Sequence, residues 1–446
     1  MFEMTGKYTT AKVMIDNVEE SCISQITSFI NHPAFTNPIS IMPDTHWGKG
    51  AVIGFTMPMT QKIIPNVIGV DIGCGMLSQD LGEKLSMSYD ELDKIIRDKI
   101  PFGSNMHDKA VIHLKKDFPW NEVRKTAKDF TNAFNVKFNT SYSPEIYEGE
   151  EKWFQNKCKQ INANERRIIN SIGTLGGGNH FIEIGKDDIK NHFWLTIHTG
   201  SRNFGKCVCE YWQYYATKIV RKGKDFSIKT EIENIRKTYT GKDIESEIRK
   251  LRNDAGTDNV KNVMDYLEDE DAMHYLADMI FAQKYAEVNR KYIADIICDV
   301  LDSSIKSRSD LKRISCVHNF IDFRDFIVRK GAIRSYTGEE MIIPFNMHDG
   351  LLFCKGKSNS EWNYSAPHGA GRVYSRAKAK QIIDVEKFKD SMKDIYSTSV
   401  GFNTLDEAPE AYKNSKMIEE AIEPTAEIIM RVKPVMNMKD AKGDRE

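Results

Sequence analysis

The stretch Ser365-Ala-Pro-His-Gly-Ala-Gly-Arg372 surrounds one imidazole with the smallest side chains available. Nothing beside His368 is bulky enough to bury the ring or to keep a large molecule from a ring nitrogen. The plain alternative is a glycine-rich turn that happens to carry a histidine. Five other places share its character, a polar residue at the end of an apolar run, the first four of them against glycines: MPDTHWGKG (42–50), GVDIGCG (69–75), GGGNHFIEI (176–184), IHTGSR (197–202) and VHNF (317–320). Asp71 and Cys74 stand three apart among glycines, and the thiol reads as nucleophile, metal ligand or small buried hydrophobe. With His180, His198 and His318 they make a mixed oxygen, nitrogen and sulfur donor set. Imidazole suits Zn, Fe, Ni or Mn, carboxylate suits Mn or Mg, and a thiolate can bridge two ions. Such a set from separate strands could hold a two-metal phosphoryl-transfer site.

The remaining candidates divide by setting. Arg202, Arg372 and Arg376 are spaced to grip phosphates, with surface ion pairs as the alternative. GTLGGG lacks the Lys-Ser/Thr ending of a P-loop and the spacing of a dinucleotide fold, so it counts only beside Asn179 and Glu183. His46 has Trp47 placed to stack on it, and Asp44 is placed to fix its tautomer or to tune a neighbouring ligand from behind. His32, His107, His113, His192, His274 and His348 lack glycine neighbours and read as surface or satisfied core residues.

The elements that must position these groups are legible in outline. Residues 1–80 read as strands and turns, namely AKVMID, ISIMPD, AVIGFTMPM and IIPNVIGVDIGCGM. Ser88-Tyr-Asp-Glu91 is a capping box, with Leu92, Ile95, Ile96 and Ile100 following at helical spacing. Residues 192–205 read as a strand running into a loop, and 273–301 as a long amphipathic helix. Strands are expected at 312–320 and 341–355, and a closing helix and strand within 408–439. Between them, 217–272 is dense in charge and poor in apolar residues, which suggests an inserted helical segment with a solvated face inside a single domain spanning 1–446.

The bulk properties exclude some functions. A formal net charge of −1 and a pI near 6.8 argue against a generally basic coat, so a polyanion would have to meet a local basic patch. No run of about 18 apolar residues appears, and the N-terminus lacks a signal-peptide pattern. Eight cysteines lie without disulfide-framework spacing, so a cytoplasmic protein with reduced thiols and no membrane partner is expected. Cys207 and Cys209 are too close for a zinc pair and read as alternate positions on a strand or helix edge.

MPDTHWGKG, DIGCG, GTLGGGNHFIEI, IHTGSRNFG, HNF…RKGAIR and PHGAGRVYSR occur in the order seen in the RtcB family of RNA-splicing ligases, and the resemblance covers about residue 35 to Lys439. It implies an α/β (α+β) fold of mixed and antiparallel sheets around a central active-site cleft, with helices outside. It implies joining of RNA 2′,3′-cyclic phosphate or 3′-phosphate ends to 5′-hydroxyl ends, in tRNA splicing or RNA repair, using GTP and a pair of Mn²⁺ ions. His368 matches the histidine that carries GMP. Asp71, Cys74 and His180 match the ligands of one Mn²⁺, and Cys74, His198 and His318 those of the other. Nucleotide contacts would come from Asn179, His180, Phe181, Ile182, Glu183, His318, Asn319, Pro344, Met347, His368, Gly369, Ala370, Gly371 and Lys439. The family is often helped by archease. The chain departs at Pro344-Phe-Asn-Met347, where the family typically has Pro-Gly-Ser-Met, so Phe345 is expected to narrow the loop and Asn346 to replace a hydroxyl. Lys439-Asp440 likewise replaces a closing Lys-Gly. The competing readings are a metal-dependent RNA end-processing enzyme, a cyclic phosphodiesterase or 3′-phosphate-capping activity without sealing, and a non-catalytic RNA-binding relative.

Overall fold

A computed structural model describes residues 1–238, 244, 247, 248, 263–308 and 310–441. Two large sheets organise it. The first runs in the order Phe2–Thr5, Thr10–Val13, Ile39–His46, Ile53–Pro58, Ile327–Lys330, Asn319–Asp322. Its second and third strands are parallel, because the helix Glu20–Ile30 crosses between them, and its other pairs are antiparallel. The second sheet is antiparallel throughout, in the order Glu340–Pro344, Leu351–Gly356, Ala426–Met438, Phe181–Asp187, Phe193–Thr199, Gly75–Gly82, Arg313–Val317. A short ladder, Ala332–Arg334 with Ser365–Pro367, carries the chain into the loop of His368. Mixed sheets with helices outside match the expected architecture.

Helices follow their sequence signals where these are local. The Ser88 hydroxyl accepts from Glu91 N, and Glu91 Oε2 accepts from Ser88 N at 3.1 Å, closing the capping box of Tyr89–Lys99. The long helix Asp269–Leu301 buries Leu276, Met279, Ile280, Tyr285, Ile293 and Ile297. It also reaches under the functional loops. Arg290 Nη1 donates to Gly73 O at 2.8 Å and Thr199 O at 2.9 Å, while Asn289 Oδ1 accepts from Gly173 N at 2.7 Å.

Three expectations need correction. Residues 63–76 are not a strand: Pro65, with its fixed φ, opens a helical turn at Pro65–Ile68, and the strand begins only at Gly75. The 1–80 region also contains the helix Glu20–Ile30, whose Cys22, Ile26, Phe29 and Ile30 face the core at helical spacing. After Thr199 the chain enters a helix at Arg202 that continues to Thr238, so Cys207 and Cys209 are helical. The charged segment 217–272 thus begins inside that helix, and most of 239–262 lies outside the described residues.

Candidate active site

The second sheet lines up the donor residues by register. His180 immediately precedes Phe181, which pairs with His198, and His198 pairs with Met76. Cys74 immediately precedes Gly75, which pairs with Val317, and His318 follows Val317. Four adjacent strands, spaced about 4.8 Å apart, therefore present Cys74 and three imidazoles in one row. The side chains meet: Asp71 Oδ2 lies 3.1 Å from His180 Nε2, and Cys74 Sγ lies 3.6 Å from His180 Nε2 and 3.2 Å from His198 Nε2. His198 Nε2 is in turn 3.1 Å from His318 Nε2. Two triads result, Asp71/Cys74/His180 and Cys74/His198/His318, each with ligand atoms within 4.8 Å of one another and with Cys74 in both.

Electrostatics fit a cation among these atoms. Burial, reinforced by the Asp71 carboxylate, pushes the Cys74 thiol well above its usual range. Burial and the neighbouring imidazoles hold His198 and His318 well below theirs. Burial acts to raise Asp71, but His180 beside it prevails and holds its carboxyl at about 2. The cluster is thus rich in lone pairs converging on one small region, a mixed set suited to divalent transition metals.

His368 closes the row from the first sheet's side. Its ring centroid lies 4.9 Å from that of His318. Asp44, fully buried on the strand Ile39–His46, accepts from His368 Nδ1 at 2.7 Å and from its backbone N at 3.2 Å. Of the two roles the sequence leaves to Asp44, serving His46 or a neighbouring group, its carboxylate takes the second, and His46 Nδ1 meets the Asp44 carbonyl at 3.0 Å. Trp47 does not stack on His46; among the described residues no ring packs against it. The glycines after His368 have a steric reason: Gly371 has a φ of +73°, and a Cβ there would stand 2.0 Å from the Asp44 carbonyl.

Asp71, His198, His318 and His368 line one cleft of about 520 Å³. Phe181 and Glu183 alternate toward it, whereas Ile182 between them turns into the core, the ordinary alternation of a strand. Asn179, His318, Asn319, Pro344, Met347, Gly369, Ala370, Gly371 and Lys439 also border the cleft, and His180 borders a hollow beside it. Burial raises the Glu183 carboxyl to about 8, against the Asn437 amide that donates to it at 2.8 Å. Lys439 Nζ donates to Glu407 Oε2 at 2.8 Å and to Asn179 O at 3.2 Å, over the Phe181 ring.

The arginines are less free than their spacing suggested. Arg372 donates to Glu407 and to the Asp406 carbonyl, and Arg376 to Asp406 at 2.8 Å and Glu407 at 3.0 Å. Burial acts to raise Glu407, yet Lys439, Arg376 and Arg372 together hold it well below the carboxylate range. Arg202 donates to Thr174 Oγ1 and Gly103 O and borders the neighbouring hollow with Arg167, Lys206 and Arg376. That hollow is a local basic patch on a chain of near-zero net charge. In the 344–347 loop, Phe345 is packed into the core, and Asn346 Oδ1 accepts from His348 N and Asp349 N, both at 2.9 Å.

Three groups escaped the sequence reading: Asp44 as the partner of His368, Glu407 as the shared anion of three cations, and Arg290 beneath the metal loops. Asp44 lies inside MPDTHWGKG, where His46, two residues on, is the nearer imidazole in the sequence. Glu407 and Arg290 lie in DEAPEAY and EVNRK, which carry no glycine or histidine signal.

Known proteins are similar to the chain across nearly its whole length. The family model described as tRNA-splicing ligase RtcB matches residues 25–440. The RNA-splicing ligase RtcB of Escherichia coli (strain K12) is 28% identical over 442 residues, covering 95% of each chain. The tRNA-splicing ligases RtcB of Nanoarchaeum equitans and Methanococcus maripaludis are 23% and 24% identical, covering 97% and 98% of this chain and 94% and 95% of theirs. With residues 25–440, nearly its whole length, matched by that model, the chain belongs to the RtcB family.

Proposed function

We propose that this chain is an RNA ligase that joins 3′-phosphate or 2′,3′-cyclic phosphate ends to 5′-hydroxyl ends, with GTP as co-substrate and His368 as the guanylated residue. The observation that carries this reading is the Asp44–His368 pair beside the donor row. With Nδ1–H donated to Asp44, the lone pair of His368 resides on Nε2, the atom left to attack. In the first step that lone pair forms a bond to the α-phosphorus of GTP, and the bond to pyrophosphate breaks. The ring then carries GMP on Nε2 and a proton on Nδ1, a cation that the Asp44 carboxylate stabilises. In the second step an oxygen of the RNA 3′-phosphate takes the guanylate and His368 regains its lone pair. Finally the 5′-hydroxyl attacks the RNA phosphate, GMP leaves, and the strand is sealed; a cyclic phosphate must first be opened by water.

Asp71, Cys74 and His180 would hold one divalent cation and Cys74, His198 and His318 a second, Mn²⁺ by family resemblance. When bound, such ions supply charge that orients the triphosphate and offsets negative charge on the α-phosphate. Arg290 holds the carbonyls of Gly73 and Thr199, each adjacent to a donor residue, and so fixes the spacing of Cys74 and His198. Glu183 suits guanine, whose N1–H and amino group can donate together to one carboxylate, whereas adenine has no N1 hydrogen. The Phe181 ring beside it offers an apolar face for a base.

The test is incubation with GTP labelled at the α-phosphate, with Mn²⁺, comparing the wild type with His368→Ala, with and without an archease-type partner. Label retained through denaturation in the wild type and absent from the variant is expected. An unlabelled wild-type protein that still opens or caps RNA ends would replace this reading with the end-processing one.

A further inference from the structure

Trp47 lies at the rim of the His368 cleft with 56% of its surface exposed, although a tryptophan is among the costliest side chains to leave in water. Its loop is nevertheless firmly held. Gln25 Nε2, from the helix Glu20–Ile30, donates to Gly48 O at 2.8 Å. The buried Lys330 ammonium donates to Lys49 O at 2.7 Å and to Asn66 O at 3.3 Å. Gly50 has a φ of +85°, and a Cβ there would stand 2.5 Å from Asn66 O, so the turn closes tightly on its neighbour. An exposed indole on a pinned loop has little conformational entropy left to lose on binding. Exposed Lys49 stands two residues away on the same rim, and Arg376 lines the same cleft. An aromatic face beside cations is how proteins hold single-stranded nucleic acid, the base stacking and the backbone drawn by charge. Glu183, the group suited to guanine, comes from the second sheet, whereas Trp47 follows a strand of the first, so the two offer separate places for two bases.

We propose that Trp47 is the stacking platform for the terminal nucleobase of the RNA end delivered to His368. The proposal rests on the ligase reading for the identity of the strand. Its test is equilibrium binding of a short fluorescent single-stranded RNA with a 3′-phosphate, against the same RNA with an abasic terminal ribose. Wild type, Trp47→Phe and Trp47→Ala are compared, and each is also labelled with GTP. Wild type should bind the intact end roughly tenfold or more tighter than the abasic end. Trp47→Ala should bind both ends equally weakly, Trp47→Phe should recover most of the difference, and guanylation of His368 should be unchanged in both variants. If Trp47→Ala discriminates between the two ends as wild type does, the platform is elsewhere. If RNA binding is untouched and GTP affinity falls instead, the indole serves the nucleotide and the proposal is wrong. A wild type that takes no label defeats the ligase reading, while the RNA comparison still decides the role of Trp47.

Discussion

Replacing Asp44 with asparagine changes one atom and removes the charge beneath two hydrogen bonds. In the wild type the carboxylate accepts from His368 Nδ1 at 2.7 Å and from His368 N at 3.2 Å, in a fully buried position. Both contacts fall on one oxygen, Oδ2, so an asparagine amide that keeps its oxygen there retains both hydrogen bonds, and the lone pair stays on Nε2. The opposite amide orientation would set its NH₂ against the His368 backbone N–H and is disfavoured. What the variant loses is the charge that would stabilise the guanylated ring. A hydrogen bond to a charged group contributes about 1.5–3 kcal/mol. At about 1.4 kcal/mol per tenfold, that slows guanylation by roughly 10- to 100-fold. The assay is single-turnover labelling of the protein with GTP at saturating Mn²⁺, with rate and GTP affinity fitted separately. Affinity should hold, because the groups assigned to guanine lie on the other sheet. A variant labelled within about twofold of the wild-type rate, where the charged hydrogen bond predicts at least tenfold, would refute the assignment of Asp44 as the group that stabilises the charged ring.

The sharing of Cys74 between two triads gives a stoichiometric prediction: Cys74→Ser should lose both Mn²⁺ ions in equilibrium dialysis, whereas Asp71→Asn and His318→Ala should each lose one. Because burial raises the Cys74 thiol and a thiolate is the metal ligand, Mn²⁺ affinity should increase as pH rises, which a dialysis series in pH reads directly. The Glu183 carboxyl, raised to about 8, must give up a proton to accept from guanine; GTP affinity should therefore rise with pH up to about 8, with proton release seen by calorimetry in two buffers. Glu183→Gln should remove that release. Glu407→Gln leaves Lys439, Arg372 and Arg376 without their shared anion, and should lower unfolding stability by about 3–5 kcal/mol in denaturant titration. Since Glu407 is held below its ordinary range, its stabilisation is present above the unfolded carboxyl pKa and disappears as pH falls below it.

The parts of this site that the sequence disclosed are those governed by local chemistry. His180, His198 and Cys74 each stand where an apolar strand meets glycines, His318 ends an apolar run without them, and the sheet places four such ends side by side. Their convergence depends on register, which ties residues more than a hundred positions apart and leaves no local trace. Pro65 misled for a related reason: the apolar residues around it suit a strand as well as a helix, and the proline ring decides between them only through its φ.

Asp44 shows the limit most clearly. In Asp-Thr-His the carboxylate and imidazole are two residues apart on a strand, so both side chains could share a face and pair. The fold instead brings His368 to Asp44 across 324 positions, and the backbone carbonyl of Asp44 is all that His46 receives. The glycines around His368 are therefore explained by two demands at once. Room for a guanylate is the one visible in the sequence. The other is that the loop must lie against the Asp44 strand closely enough for a 2.7 Å bond, and Gly371, with no space for a Cβ beside the Asp44 carbonyl, is what that approach requires. Gly371→Ala should consequently slow guanylation through the Asp44–His368 bond, and combining it with Asp44→Asn should cost less than the product of the two single effects. Independent, multiplicative losses would mean that the glycine serves only to admit the nucleotide.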